Sequence, residues 1–175
     1  MEMDLEQNRY ADFKDLQLYC YRVASVVGLL SASIFGYSDR KTLKYAHDLG
    51  IAFQLTNIIR DVGEDALRDR IYLPQDELVR FGVSEHDILH GHETEQVRDL
   101  LTFQIQRADE YYAKAMDELP AEDRRAQRPG LMMAAIYRTV LDEIKRDGCQ
   151  KVLNQRLSLT PLRKFWLAWK SWILG

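Results

Sequence analysis

The sequence predicts an all-α domain built around a wide apolar interior. Apolar residues recur at helical spacing along most of the chain, strand-like alternation persists nowhere, and glycine and proline are scarce, at 9 and 4 of 175 residues. That length is one domain's worth of chain and enough for a single good core.

A first helix is expected from about Asp12, a plausible N-cap, through "FKDLQLYCYRVASVVGLLSASIF" to Gly36, which suits a helix end. The second begins near Ser38 or Asp39 and continues to about Arg68, with Leu43, Ala46, Leu49, Phe53 and Ile59 at helical spacing. A loop containing Pro74 leads into a short helix from Gln75 to Phe81. The fourth spans about Thr94 to Leu119 and turns Val97, Leu100, Leu101, Ala108 and Tyr112 inward. After the polar connection "LPAEDRRAQRPG", a fifth runs from about Leu131 to Leu153.

Composition excludes several classes. A net charge of −3 provides no basic field for nucleic acid. Cys20 and Cys149 fit no zinc or redox spacing and read as reduced thiols of a cytoplasmic protein. The acidic, polar "MEMDLEQNRYADF" is not a signal peptide. The longest uncharged run, Val23 to Ser38, falls short of the roughly 20 residues a spanning helix needs, so a buried helix is expected there.

The chemistry concentrates in "NIIRDVGEDALRDRIYLP". Residues four apart share a helix face, which aligns Asn57, Asp61 and Asp65, with Gln54 one turn earlier. Two carboxylates so placed repel by about 0.2–0.5 kcal/mol unless something lies between them. A hard cation such as Mg²⁺ would reverse that sign and bridge to phosphates, which Arg60 and Arg70 could also contact. The competing reading is an exposed helix end laced with ion pairs such as Glu64 to Arg68. The position favours a site: the acids end an apolar face that also carries two amides, and buried amides need polar partners.

The second unusual segment is "YCYRVASVVG". Gly28, with Ala24 and Ser25, lies inside a helix, where glycine costs about 1 kcal/mol relative to alanine. Either another helix packs closely there or a ligand needs the room. Tyr19 and Tyr21 are core fillers, or site residues whose rings could stabilise a cation and whose hydroxyls could move a proton.

Together these segments resemble the squalene/phytoene synthase family, the head-to-head trans-isoprenyl diphosphate synthases. "YCYRVASVVG" is similar to that family's YCxxVAGxVG signature, with Ser25 in place of glycine, and "LGIAFQLTNIIRDVGEDALRDRIYLP" to its second aspartate-rich signature. The specific likeness covers Tyr10 to Val83.

The resemblance implies an isoprenoid-synthase-type helical bundle around a deep apolar channel. Two prenyl diphosphates would be joined there with Mg²⁺ assisting loss of diphosphate. Asp61 and Asp65 would hold the metal, and Gln54, Asn57, Arg60 and Arg70 would contact diphosphate. Tyr19 would face the reacting carbons, and Val23, Ala24 and Gly28 would line the channel with a contribution from Tyr137. The family carries a further aspartate-rich helix facing this one, and no stretch here matches it. The chain is therefore expected to be a C-terminal portion: residues 1–159 part of the catalytic domain and 160–175 a tail.

Spelling around the second motif and in the tail favours the bacterial enzymes of hopanoid and carotenoid pathways. The expected reaction is farnesyl diphosphate to presqualene diphosphate. Phytoene formation from geranylgeranyl diphosphate, or a truncated non-catalytic member, is the alternative.

In the tail "LTPLRKFWLAWKSWILG", Leu162, Phe165, Trp166, Trp169, Trp172 and Ile173 can share one face beside Arg163, Lys164 and Lys170. Such an amphipathic end suits either the inner membrane face or docking on the protein's own surface. His86, His90 and His92 look like part of a polar loop and are assigned no role.

Overall fold

The computed structural model describes residues 7–154 and 160–174, and no strand occurs among the described residues. The first helical rod comprises α1 (Phe13–Cys20), a π-helical turn (Tyr21–Ser25) and α2 (Val26–Phe35). Asp12 caps it, its side chain accepting a hydrogen bond from the Asp15 amide, and Gly36 ends it at φ 85°. The π turn is not legible in the sequence. It interrupts the rod beside the site described below, where such turns often occur.

The central element is α3 (Lys41–Arg60), which buries Ile51, Ala52, Leu55 and Ile59. It packs on α7 (Glu95–Glu118), on the π turn and α2, and on α8 (Arg128–Arg146). Its start is held by the buried Asp123 carboxylate, which accepts from the Ser38 amide (2.7 Å), the Asp39 amide (3.1 Å) and the Thr42 hydroxyl (2.6 Å). Midway, the buried Asp48 pairs with Lys114 of α7 at 2.9 Å. A buried carboxylate is tolerated where it is paired in this way.

Close approach determines the packing on the first rod. A Cβ on Gly50 would lie 2.7 Å from the Ser25 Cα, and one on Gly28 would lie 2.7 Å from the Ala46 carbonyl oxygen. The Ser25 hydroxyl donates to the His47 carbonyl at 2.8 Å across the same contact. Close packing therefore accounts for Gly28.

Several elements differ from expectation. α3 stops at Arg60, because Asp61 leaves helical geometry (φ −104°, ψ 11°), and α4 (Val62–Ala66) follows. The Asp65 amide still donates to the Asp61 carbonyl at 2.8 Å, so the four-residue relation survives the break. After α5 (Gln75–Phe81), the polar loop contains α6 (Glu85–Leu89), capped reciprocally by Ser84 and Asp87. The fifth expected helix is two: α8 ends at Arg146, Gly148 and Cys149 adopt φ near +65° and +63°, and α9 (Lys151–Asn154) restarts the chain.

The expectation of a buried helix over the apolar run is wrong for α2. One side of the rod packs on α3, but Val27, Leu30 and Ile34 are 58%, 62% and 81% exposed. The rod, Phe13–Phe35, is also long and apolar enough to cross a membrane by length and composition. α10 (Pro161–Leu174) lies against α8, with Leu167 packed on the core and Arg163 paired to Glu143 at 2.7 Å. The expected domain boundary at 159/160 abuts residues outside those described.

Gly50→Ala should destabilise the chain by about 1–3 kcal/mol, the usual cost of forcing extra volume into a packed contact. Equilibrium chemical denaturation measures this, and an unchanged midpoint would refute the backbone approach at Ser25.

Candidate functional site

The end of α3 and the start of α4 project a polar group of side chains toward the first rod. Tyr19, Gln54, Asn57, Arg60, Asp61 and Asp65 line one recess of about 220 Å³, together with Ile58 and Tyr72. Next to it runs a largely apolar cleft of about 390 Å³, walled by Val23, Ala24, Val27, Gly28, Phe53 and Met133 among others. Gln54 and Asn57 line both. The two spaces are therefore the polar and apolar ends of one amphiphilic surface.

Charge is arranged unevenly within the recess. Arg60 binds Asp61 in a fork, Nε to Oδ1 at 2.8 Å and Nη2 to Oδ2 at 2.5 Å. The Asp61 hydrogen bonds are the largest influence raising the guanidinium pKa. Asp65 is the strained member: burial first, then the neighbouring Asp61 charge, pushes its carboxyl up to about 6. The Asn57 amide nitrogen donates to Gln54 Oε1 at 3.3 Å, while its buried Oδ1 has no hydrogen-bond partner. A buried oxygen of that kind, beside two carboxylates, suits a cation or an ordered polar ligand.

The aromatic wall is a mutual cluster. Tyr19 lies 5.4 Å from Tyr10 and 5.2 Å from Tyr72 between ring centroids, and Tyr10 and Tyr72 stack at 5.6 Å. The irregular segment before α1 fastens the loop that delivers Tyr72. The Ile71 amide donates to the Asn8 carbonyl, the Gln75 amide to the Tyr10 carbonyl, and Arg9 bridges Asp69 and Glu85. This strap explains how Asp69 is held at φ 56°, a conformation uncommon outside glycine.

Most of the residues singled out by sequence meet here. Val23, Ala24 and Gly28 fall on the apolar cleft, and Tyr19, Arg60, Asp61 and Asp65 on the polar recess. Arg70 is one step removed, joining Asp65 in a small adjoining crevice and donating to the Tyr72 hydroxyl at 3.3 Å. Tyr137 lines neither space; its ring lies tilted against Phe53 at 4.8 Å between centroids, and it interacts with Arg60. Sequence reasoning missed Tyr72, although "RIYLP" lay inside the segment it singled out. It also missed the far wall of the cleft, Gln127, Pro129, Gly130 and Met133, which carries no motif.

The chain is similar to known proteins. A squalene/phytoene synthase family model matches residues 1–163. The chain is 43% identical over 175 residues to a phytoene synthase of Arthrospira platensis, covering 93% of this chain and 56% of that protein. It is 42% identical over 174 residues to the 15-cis-phytoene synthase of Synechococcus elongatus, with the same two shares. Among solved structures it is similar to a dehydrosqualene synthase in complex with ligand (TM-score 0.77, 28% identity, 96% of this chain and 59% of that one). It is also similar to squalene synthase HpnC from Alicyclobacillus acidocaldarius (TM-score 0.75, 26% identity, 85% and 56%). The chain thus spans about half the length of the curated relatives it matches.

The raised Asp65 carboxyl has a measurable consequence. Its folded value, about 6, exceeds the ordinary 3.8, so the folded chain holds this proton more tightly than the unfolded chain. The stability it contributes is complete below about pH 4 and lost as pH rises through about 6. Without divalent cations, Asp65→Asn should therefore raise Tm at pH 7 and leave it nearly unchanged at pH 4. Excess Mg²⁺ should narrow the pH 7 difference by stabilising the parent. Equal Tm values for parent and variant at pH 7 would remove the argument for a strained carboxylate.

Proposed function

The chain belongs to the squalene/phytoene synthase family, and from that premise we propose that it contributes a diphosphate-and-metal site and one wall of the prenyl channel to a head-to-head condensation of two prenyl diphosphates. The carrying observation is that Gln54 and Asn57 line both the polar recess and the apolar cleft. A ligand with an anionic head and a hydrocarbon chain matches that pairing, and a wholly polar or wholly apolar ligand does not.

In this reading Asp65 and the Asn57 Oδ1 are hard oxygen donors suited to Mg²⁺, and Asp61 becomes a third once a phosphate draws the Arg60 fork off its carboxylate. When bound, Mg²⁺ would neutralise charge building on the departing diphosphate. Arg60, already forked onto Asp61, and Arg70 beside Asp65 place two permanent cations where phosphate oxygens would lie. The Gln54 side-chain N–H donates to the same oxygens. The Tyr19 and Tyr72 rings offer π faces to an allylic cation, and Val23, Ala24, Gly28 and Phe53 keep water from it.

The relatives reported above at 42–43% identity are named phytoene synthases. That favours geranylgeranyl diphosphate and phytoene over the farnesyl diphosphate and presqualene diphosphate expected from sequence. Val27 lines the cleft and is 58% exposed, so the cleft is open at that edge. We propose that the remainder of the family fold closes it.

The purified chain should bind geranylgeranyl diphosphate in a Mg²⁺-dependent manner, about 10-fold or more weakly in Asp61→Ala and Asp65→Ala, the loss expected for one charged contact. Mass analysis of lipid extracts should show phytoene once the cleft is closed. Binding indifferent to Mg²⁺ would sink the metal role, and a higher kcat/KM for farnesyl diphosphate would reverse the substrate assignment.

A second proposal concerns α10, where Leu162, Trp166 and Trp169 are exposed and Lys170 lies 5.1 Å over the Trp166 ring. Indole rings flanked by cations suit a membrane interface at the cytoplasmic face. The side chains of Lys164, Phe165, Trp172 and Ile173 lie outside those described. Trp166→Ala with Trp169→Ala should reduce co-sedimentation with anionic liposomes; unchanged co-sedimentation would leave α10 simply docked on α8.

A further inference from the structure

Away from the carboxylate recess, the turn around α6 gathers three histidines. The ring centroids of His86 and His90 are 4.0 Å apart, those of His86 and His92 5.1 Å, and those of His90 and His92 5.9 Å. Imidazoles sharing one tetrahedral ion at about 2.0–2.1 Å from nitrogen would have centroids about 5 Å apart, within this spread. Ligand atoms of His86, Asp87 and His92 all lie within 4.8 Å of one another; His90 stands outside that group, stacked on the His86 ring, and joins it by turning its imidazole toward the other two. All three rings are exposed, so an ion can reach them.

Hydrogen bonding decides which nitrogens are available. His90 Nδ1 lies 3.0 Å from the His86 carbonyl oxygen, and His92 Nδ1 lies 3.1 Å from Asp87 Oδ1. A carbonyl and a carboxylate only accept, so in both rings Nδ1 carries a proton, which leaves Nε2 of the neutral ring as the nitrogen with a free lone pair. A second ring nitrogen held by carbonyl or carboxylate is the usual support of a metal-bound histidine, because it fixes tautomer and ring orientation.

The backbone holds the turn in place. The His92 amide donates to the Asp87 carbonyl at 2.8 Å, and Gly91, at φ 64°, folds the chain back so that His92 faces α6. Ile88 is buried beneath, and the Glu93 carboxylate accepts from Asn154 at 2.8 Å. His86 and His90 are one helical turn apart, a spacing that lets two imidazoles on one face share an ion.

We propose that this turn binds one borderline divalent transition-metal ion, of the zinc or nickel class, through His86, His90 and His92, with Asp87 orienting His92. Imidazole selects such ions over Mg²⁺, which the carboxylate recess suits. The site is thus independent of the prenyl diphosphate reading.

Titrating the untagged, metal-free chain with Zn²⁺ alone, by calorimetry and by competition with a chromogenic chelator, tests it. One equivalent should bind, raise Tm, and withstand a large excess of Mg²⁺. The triple variant His86→Ala, His90→Ala, His92→Ala should weaken that equivalent about 100-fold or more while keeping the parent's far-UV circular dichroism. Asp61→Ala with Asp65→Ala should leave it unchanged. No stoichiometric Zn²⁺ binding by the parent overturns the proposal. So does an equivalent that survives in the triple variant, or one lost only with Asp61 and Asp65.

Discussion

The backbone approach between α3 and the first helical rod is the constraint on which the rest of the structure depends. It is possible only because Gly50 and Gly28 lack a Cβ, which would lie 2.7 Å from the Ser25 Cα and from the Ala46 carbonyl oxygen respectively. Separating the helices by the width of a methyl group would fill the space between Val23, Ala24 and Phe53 differently. It would also break the Ser25 to His47 hydrogen bond that fixes their register. Small residues thus act here as spacers: they set the distance between two rods, and that distance sets the cleft.

The same geometry controls the electrostatics. With α3 anchored at one end by Asp123 and midway by the Asp48 to Lys114 pair, its last turn can project only into the recess. The break at Asp61 lets Arg60 fold onto the Asp61 carboxylate, so one acid is neutralised. Asp65 is left half-buried near both. Its high pKa is the residue of that asymmetry: desolvation and a like charge act together, and Arg68 and Arg70 offset them only in part. One carboxylate is thus satisfied and one strained, an electrostatic asymmetry of the kind found where titratable groups are packed together.

Two regions depend on contacts that no local pattern reveals. The strap of Asn8 to Ala11 carries no motif, yet its hydrogen bonds position the loop bearing Arg70 and Tyr72. The histidine turn read as a polar loop because its helix is too short for periodicity to show. Its order comes from the Ser84 and Asp87 cap and from the conformational freedom of Gly91.

By itself the sequence determined the all-α class, the helix of Asp12 to Gly36, and the alignment of Asn57, Asp61 and Asp65. These follow from short-range rules: periodicity, capping chemistry and the four-residue turn act over a few neighbouring residues. Tertiary structure alone decided that Gln54 and Asn57 stand where two cavities meet, that Tyr137 packs on Phe53 outside both, and that α2 keeps an exposed face. It also decided that the second and fifth helices break where unbroken ones were expected. The physical reason is that burial and cavity walls are sums over residues distant in the chain. Gly28 illustrates it: its own segment shows only that a side chain is missing, and only the opposing Ala46 carbonyl shows why.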